Sequence, residues 1–230
     1  MGRALRFSNK YPSIRISVLA ITAITACFLA CGTVMRMTRS SAEPERGRSR
    51  DYLIDGGSIR SPRTFPASMV KLSDSDEVIG VSQGGCHRAY LLAALRPRAV
   101  ALSSQLEAEL SRHVVNDRIA GVPITVTYCD IADCVRAFTD PRAAGPLEIS
   151  VGGISQTSGG SLVLMAKGSR YYQSSGRNYE DSSATFPYVS KEFVRTTWKQ
   201  WHTAHPDTDV YVGTGAQFLK GEAIGQPNTQ

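Results

Sequence analysis

Residues His113 to Cys134 read HVVNDRIAGVPITVTYCDIADC, and this stretch decides the fold of the chain. It predicts two strands around a Gly-Pro turn. In the second strand Ile124, Val126 and Tyr128 alternate with threonines and Cys129, as side chains of a strand alternate between two faces. The apolar set is the better candidate for the core face. Polar and sulfur-bearing residues gather at the hairpin ends, so we expect any chemical site there.

Shorter patterns on either side predict further strands and two helices. A glycine turn at Gly84-Gly85 separates two apolar stretches, which is typical of a β-hairpin. The predicted helices cover residues 103–112 and 191–202, and the other predicted strands cover 78–81, 86–92, 134–138, 147–151, 162–165 and 210–212. Residues 171–175 suit either a strand edge or a loop. Together these elements predict a β-rich α+β domain over residues 65–215, with a mostly antiparallel sheet, hairpins and two short helices.

The positive charge lies outside this predicted domain. The chain has a formal net charge of +6, but residues 1–50 hold nine Lys or Arg against two acids. Residues 51–230 hold seventeen basic against eighteen acidic residues. A nucleic-acid-binding protein is expected to carry its charge on the folded domain, so no nucleic-acid partner is expected.

The N-terminal region has the pattern of a membrane anchor or an export signal. After a basic tail, residues 1–15, residues 16–35 contain no charged side chain. A helix of that length spans about 30 Å, the thickness of a bilayer's hydrocarbon core. The basic tail favours a cytoplasmic N-terminus, which places the domain on the extracytoplasmic side. A secretory signal cleaved after residues 16–26, or a lipoprotein lipidated at Cys27, would export the domain too.

Two polar segments flank the predicted domain. Residues 36–64 are rich in Arg, Ser, Gly and Pro and predict a flexible linker. Residues 216–230 are expected to form a C-terminal tail.

The hairpin offers candidate catalytic residues in His113, Asp117 and Cys129. Histidine titrates near neutral pH, and a carboxylate could orient its ring for general acid–base work. Asn116 and Asp117 are equally suited to satisfying backbone groups at the end of a strand. Both interpretations stay open at this point.

The pair Cys129 and Cys134 allows several interpretations. A disulfide closing so short a loop would stabilise the fold by about 2 kcal/mol on the chain-entropy model. The spacing also lies within the range of zinc sites, with His113 or His205 as further ligands, and a sulfur and histidine set could suit copper. The pair could instead have a thiol-redox role, or the two cysteines could be inert. Cys86, beside His87, is either a reactive thiol or a small buried residue.

Candidate ligand-binding residues are Asn116 and Tyr128 in the hairpin and Trp198 and Trp201 near the C-terminus. The two tryptophans lie three residues apart, on one face of the predicted helix. They would line either the core or a ligand groove. The chain has no phosphate-binding Gly-Lys-Ser/Thr loop, no His-Glu-x-x-His and no Gly-x-Ser-x-Gly.

An ordered set of motifs resembles one known family. These motifs are Val78-Ile79-Gly80-Val81, Arg88-Ala89-Tyr90, His113 to Asp117, Pro123 to Cys129, and Trp198-x-x-Trp201-x-x-x-His205-Pro206-Asp207-Thr208. Over residues 65–212 the chain resembles the prokaryotic domain-of-unknown-function family 3179. The resemblance implies an exported or membrane-tethered bacterial domain and brings no established activity. The family commonly has Cys-x-x-Cys where this chain has Cys129 and Cys134.

The function predicted from the sequence is therefore a membrane-tethered extracytoplasmic domain that binds a ligand or a metal, zinc or copper, near residues 113–134. A thiol-dependent or His/Asp-dependent envelope enzyme, either an oxidoreductase or a hydrolase, also fits the residue pattern. A purely structural interaction module is the third possibility.

Overall fold

A computed structural model describes residues 51–98, 103–156 and 160–221 of the chain. All described residues belong to one compact unit. The predicted basic tail, the apolar segment 16–35 and the linker up to residue 50 lie outside the described residues. Among the residues that are described, no helix is both long and apolar enough to cross a membrane.

The described part of the chain contains many short strands and two short helices, which confirms the predicted β-rich α+β class. The strands are β1 (Tyr52–Leu53), β2 (Ile59–Arg60), β3 (Phe65–Pro66), β4 (Glu77–Gln83), β5 (Cys86–Leu91), β6 (Val114–Ile119), β7 (Val122–Cys129), β8 (Cys134–Thr139), β9 (Ile149–Ser155), β10 (Ser161–Ala166), β11 (Ser169–Tyr172), β12 (Val189–Ser190), β13 (Val194–Thr197) and β14 (Asp209–Tyr211). The helices are α1 (Ser103–Leu110) and α2 (Trp198–Ala204).

These strands form three sheets. Sheet I has the order β1-β9-β10-β11, sheet II the order β12-β8-β7-β6-β2, and sheet III the order β13-β4-β5-β14-β3. Neighbouring strands pair antiparallel except in two places, β2 with β6 and β5 with β14. The predicted mostly antiparallel pairing is confirmed, and the sheets are mixed at these two points.

Sheet II is the middle layer, because each of its faces contributes to a different apolar cluster. Val115, Val126 and Tyr128 pack with residues of sheet III in the first cluster. Val114 and Cys129 pack with residues of sheet I in the second. The predicted core face of β7 is confirmed, and the opposite face with its threonines is buried as well. The hairpin predicted to carry a site is therefore the centre of the domain.

The turn of the central hairpin begins at Ala120, one residue before the glycine of the predicted Gly-Pro turn. Ala120 and Gly121 form the turn, with φ angles of 48° and 77°. This pair of positive angles is typical of the two-residue turns that match the twist of antiparallel strands. Pro123 already belongs to β7, where it lies opposite Arg118.

The second predicted helix is shorter than expected. Residues 194–197, predicted as its first turns, form β13 and pair with β4. The helix begins at Trp198 because Thr197 and Gln200 form a capping box, in which each side chain bonds to the backbone of the other residue. Sheet pairing and the cap together override the helical pattern of residues 191–197. The first helix agrees with its prediction to within two residues at its C-terminal end.

The ordered domain extends beyond both predicted boundaries. Strands β1 and β2 lie within the predicted linker 36–64, and they pair with β9 and β6. At the other end, the backbone N–H of Lys220 donates to the carbonyl of Met69 at 3.0 Å. Two-residue strands carry no alternation of apolar side chains, so the sequence pattern could not indicate them.

Candidate functional site

Asp117 is held between two sheets by charged and polar partners. Arg88 Nη1 donates to both carboxylate oxygens at 2.7 Å, and the Tyr90 hydroxyl donates at 2.7 Å. The backbone N–H of Arg118 adds a further bond at 2.6 Å. Asp117 is only 4% exposed. With its oxygens engaged in this way, the carboxylate joins sheet II to sheet III.

His113 does not contact Asp117. Its Nδ1 lies 2.6 Å from the Tyr128 carbonyl, which fixes the tautomer with the proton on Nδ1, and its Nε2 lies 3.7 Å from Asp130 Oδ1. Burial lowers the pKa of His113, and the nearby Asp130 carboxylate opposes that shift. The acid–base pair suggested by the sequence is therefore not assembled, since the two residues have separate partners.

Asn116 and Tyr128 also bind other parts of the domain. Asn116 donates to Ser58 Oγ and to the Ile149 carbonyl, at 2.9 and 2.7 Å, and accepts from Thr125 Oγ1 at 2.6 Å. Its side chain thus links sheet II to sheet I. The Tyr128 hydroxyl donates to Asp133 Oδ1 at 2.9 Å, and burial raises the pKa of this phenol. Neither residue lines a cavity described below.

Cys129 and Cys134 lie directly opposite each other on β7 and β8, and both are free thiols. The Cys129 thiol is buried and accepts a bond from the Ala132 backbone N–H at 3.4 Å. Cys134 is half-buried. The predicted neighbourhood of the two cysteines is therefore present, and the predicted disulfide is not formed in this structure.

The proposed metal ligands do not converge. Cys129 and Cys134 lie in sheet II, whereas His205 follows α2 on the outer face of sheet III. Within residues 51–98, 103–156 and 160–221, no three His, Cys, Asp or Glu side chains form a group that could hold a metal ion.

A second group of reactive side chains lies on the outer face of sheet III. The rings of His87 and His205 stack with centroids 3.9 Å apart, and the Trp201 ring lies 4.2 Å from His205. Ser82 Oγ lies 2.8 Å from His87 Nδ1. Trp201 is buried, and its indole N–H donates to Thr208 Oγ1 at 3.0 Å. Trp198 stacks on His202 with centroids 4.7 Å apart.

The sequence explains how these side chains meet. Gly84 and Gly85 form a two-residue turn, which sets Ser82 opposite His87 on the β4–β5 hairpin. Gly80 lies under Trp201, and a Cβ atom there would overlap the indole ring. Helix α2 therefore lies close enough to the sheet for His205, the residue after it, to reach His87.

A cavity of about 500 Å³, which we call the α2 groove, opens beside this group. Its walls include Ser82, Lys191, Phe193, Val194, Trp201 and His205. A neighbouring cavity of about 330 Å³ shares His205 and contains Cys86 and His87. Of the predicted site residues, Trp201 and His205 line the α2 groove. Lys191, Ser82 and His87 were missed as members of a site, and the Gly-Gly turn was the one sequence signal that could have linked Ser82 to His87.

Three titratable side chains line the α2 groove: Lys191, Glu192 and His205. The Lys191 ammonium donates to Gln83 Oε1 at 2.8 Å and forms no ion pair with a carboxylate among the described residues. Glu192 is exposed at the rim. Burial and the neighbouring His87 lower the pKa of His205, which favours the neutral form of its imidazole. The groove thus combines a lysine with no carboxylate partner in the described part of the chain, two aromatic walls and a histidine whose neutral form is favoured.

Comparison with known proteins identifies the family and no relative of known activity. No curated protein and no solved structure matches the chain. Residues 57–218 match the family described as "Protein of unknown function (DUF3179)". This match covers well over half of the chain, includes every strand of sheets II and III, and confirms the resemblance seen in the ordered motifs. The chain therefore belongs to the DUF3179 family.

Proposed function

We propose that this protein is a membrane-tethered, extracytoplasmic binding protein whose ligand occupies the α2 groove. The ligand class is a small organic anion with a planar apolar part. The observation that carries this proposal is the Lys191 ammonium, which lies at the groove beside Trp201 without a carboxylate partner among the described residues.

The chemistry of the groove supports this ligand class. A cation in a partly desolvated cleft attracts an anion more strongly than it would in water. The Trp201 and Phe193 side chains offer apolar surface for a flat ring, and few, well-placed polar groups are typical of small-molecule sites. The Ser82 hydroxyl and the N–H of the His205 imidazole can each donate a hydrogen bond to a carboxylate.

The hairpin at residues 113–134 supports this function in another way. Asp117 and Asn116 hold sheet II against sheets III and I, so they fix the scaffold on which the groove is built. This interpretation replaces direct ligand binding by the hairpin, because its polar side chains are already bonded within the domain. It also weakens the case for a hydrolase, which needs His113 and Asp117 together.

Binding of naphthoate, a two-ring carboxylate, tests the ligand class. We expect the intact chain to bind naphthoate more tightly than the neutral analogue naphthamide, as measured by calorimetry. Lys191→Gln should weaken naphthoate binding about tenfold, since a hydrogen bond to a charged group is lost. Glu192→Gln should tighten it about twofold by removing a like charge at the rim.

Lys199→Gln is the matched control, because this exposed lysine lies on α2 and pairs with Asp74 at 3.0 Å. It should bind naphthoate like the unaltered chain. Equal affinity for naphthoate and naphthamide, or an unchanged affinity in Lys191→Gln, would contradict an anion site in the groove.

Fractionation of cells tests the tether. The tether is supported by the charge pattern of residues 1–35, a basic tail followed by an uncharged segment. The full chain should remain in the membrane fraction after alkaline extraction, and protease added outside the cytoplasmic membrane should degrade the domain. Recovery of the intact chain among cytoplasmic proteins would reject the location.

A further inference from the structure

We propose that Cys129 and Cys134 form a thiol–disulfide exchange pair, a site of reversible oxidation by small or protein disulfides. This site is separate from the α2 groove and does not depend on the proposed ligand. Three features of the pair support it: the register of the two residues, the backbone geometry around them, and their unequal burial.

The register places the two thiols directly across the end of the β7–β8 hairpin. The carbonyls of Tyr128 and Ala137 point away from the β7–β8 interface, since they accept bonds from His113 Nδ1 and from the Lys191 backbone N–H. Hydrogen-bonded and non-hydrogen-bonded pairs alternate along an antiparallel ladder. Cys129 and Cys134 therefore form a hydrogen-bonded pair.

In such a pair the Cβ atoms lie at the wide end of a range of about 4.5–5.5 Å, whereas a relaxed disulfide needs about 3.8 Å. The pair can reach bonding distance only if the hairpin end shifts by about 1 Å or more. A disulfide formed under that strain is more easily reduced than a structural one. The two thiols are thus close enough to be oxidised to a disulfide. Because the hydrogen-bonded register strains that disulfide, it can be reduced again.

The unequal burial of the thiols sets the order of the reaction. Cys134 is half-buried and Cys129 is only 2% exposed, so the oxidant meets Cys134 first. The Cys134 thiolate attacks one sulfur of the oxidant disulfide and expels the other as a thiol. The Cys129 thiolate then attacks Cys134 Sγ, which forms the 129–134 disulfide and releases the second thiol. The pair loses two protons and two electrons, and the oxidant disulfide becomes two thiols.

Two contacts bear on this reaction. Burial raises the pKa of the Cys134 thiol, and Arg136 opposes that shift, so the first attack should be faster at higher pH. Asp133, which precedes Cys134, accepts from Arg195 Nη1 at 2.8 Å. Movement of the hairpin end therefore reaches β13 through Arg195, and oxidation should raise hydrogen exchange in the β13 amides.

Glutathione buffers test the proposal on the full chain. After equilibration, free thiols are alkylated and the protein is digested with trypsin. Cys129 and Cys134 fall in one peptide, residues 119–136, whereas Cys86 lies in the peptide of residues 72–88 and Cys27 and Cys31 lie in that of residues 16–36. In reduced glutathione we expect the 119–136 peptide to carry two alkyl groups. In oxidised glutathione it should carry none, and its mass should be two hydrogen atoms below that of the dithiol peptide.

Two variants separate exchange from other chemistry. Cys129→Ser should accumulate a mixed disulfide with glutathione at Cys134, because the resolving thiol is absent. Cys134→Ser should leave Cys129 unmodified, because that thiol is buried. The exposed Cys86 reports whether the oxidant was active in each sample.

Either of two results would overturn the proposal. A pair that stays oxidised in reduced glutathione is a structural disulfide. A pair that is still doubly alkylated in oxidised glutathione, while the Cys86 peptide carries glutathione, is not an exchange site. Neither result bears on the α2 groove, which is tested separately by naphthoate binding.

Discussion

Asp117 connects two layers of the domain through a single carboxylate. Its partners Arg88 and Tyr90 come from sheet III, and Arg88 also reaches Asp209 at 3.2 Å. A buried ion pair does not by itself stabilise a fold, because desolvating both charges offsets their attraction. Removing one partner is costly, however, because the other charge is then left buried. The bonds of Asp117 with Arg88 and Tyr90 therefore fix the relative orientation of sheets II and III.

We expect Asp117→Asn to lower the free energy of unfolding by about 3 kcal/mol, because Arg88 keeps its charge and loses its main partner. Denaturation in urea, followed by tryptophan fluorescence, measures this change. Asp209→Asn is the control, since Asp209 bonds the same arginine but its side chain is 45% exposed. Its cost should stay below about 1 kcal/mol. Equal costs for the two variants would contradict a special role for Asp117.

His113 makes stability depend on pH in a defined direction. Burial lowers its pKa in the folded protein below the ordinary value of 6.5. The unfolded chain therefore binds a proton more readily, and stability is full above about pH 6.5 and is lost as the pH falls from there towards the folded-state pKa. Urea midpoints measured between neutral and mildly acidic pH should decrease towards acid.

The variant His113→Asn separates this effect from that of other groups. Asn cannot titrate, and its amide can still donate to the Tyr128 carbonyl. We expect the variant to show a shallower loss of stability over the same pH range. An identical pH profile in both proteins would show that His113 does not cause the decrease.

Local patterns in the sequence indicated the strands and turns but not the packing of α2. The alternation of Ile124, Val126 and Tyr128 predicted β7, and the Gly84-Gly85 turn predicted the β4–β5 hairpin, because each depends on neighbouring residues only. Two features set the start of α2. The capping box of Thr197 and Gln200 is local in the sequence, whereas the pairing of β13 with β4 joins residues more than one hundred positions apart. No local pattern can indicate that pairing.

The residues of the candidate site also divide into those that a local pattern could indicate and those that depend on distant contacts. Trp201 was predicted as a ligand-binding residue from its spacing to Trp198, and His205 was predicted only as a metal ligand. Lys191 was assigned to a helix, and its place at the groove results from the β12–β13 segment that joins sheet II to sheet III. Asp117 was recognised as well, but its partners Arg88 and Tyr90 come from another hairpin, so a structural role could not be told from a catalytic one.

Helix α2 packs on sheet III only because Gly80 has no side chain. We expect Gly80→Ala to destabilise the fold by about 1–3 kcal/mol, because the new methyl group would overlap the Trp201 ring. A double-mutant cycle provides the control. In a Trp201→Leu background the same substitution should cost less, since the overlapping ring is gone. Equal costs in the two backgrounds, measured by urea denaturation, would mean that Gly80 and Trp201 are not coupled.

The reactive residues of the domain fall into two groups that different sheets carry. His113, Cys129 and Cys134 lie in and beside the middle sheet, where most polar atoms are bonded within the domain. His87, His205 and Trp201 lie on the outer face of sheet III, next to an open groove whose Lys191 forms no ion pair with the residues that the structure describes. In our proposals the first group holds the scaffold together and exchanges disulfides, and the second group binds the ligand.

Titration of the isotope-labelled protein with naphthoate, followed by amide and indole resonances in NMR spectra, tests this assignment most directly. The Trp201 indole N–H and the backbone amides of Gly80 and Val194 should shift with a single saturating curve, and these shifts should be lost in Lys191→Gln. Resonances of residues 113–119 and 124–129 should stay in place. Shifts centred on the hairpin, or none at the groove while naphthoate is present in excess, would contradict the α2 groove as the ligand site.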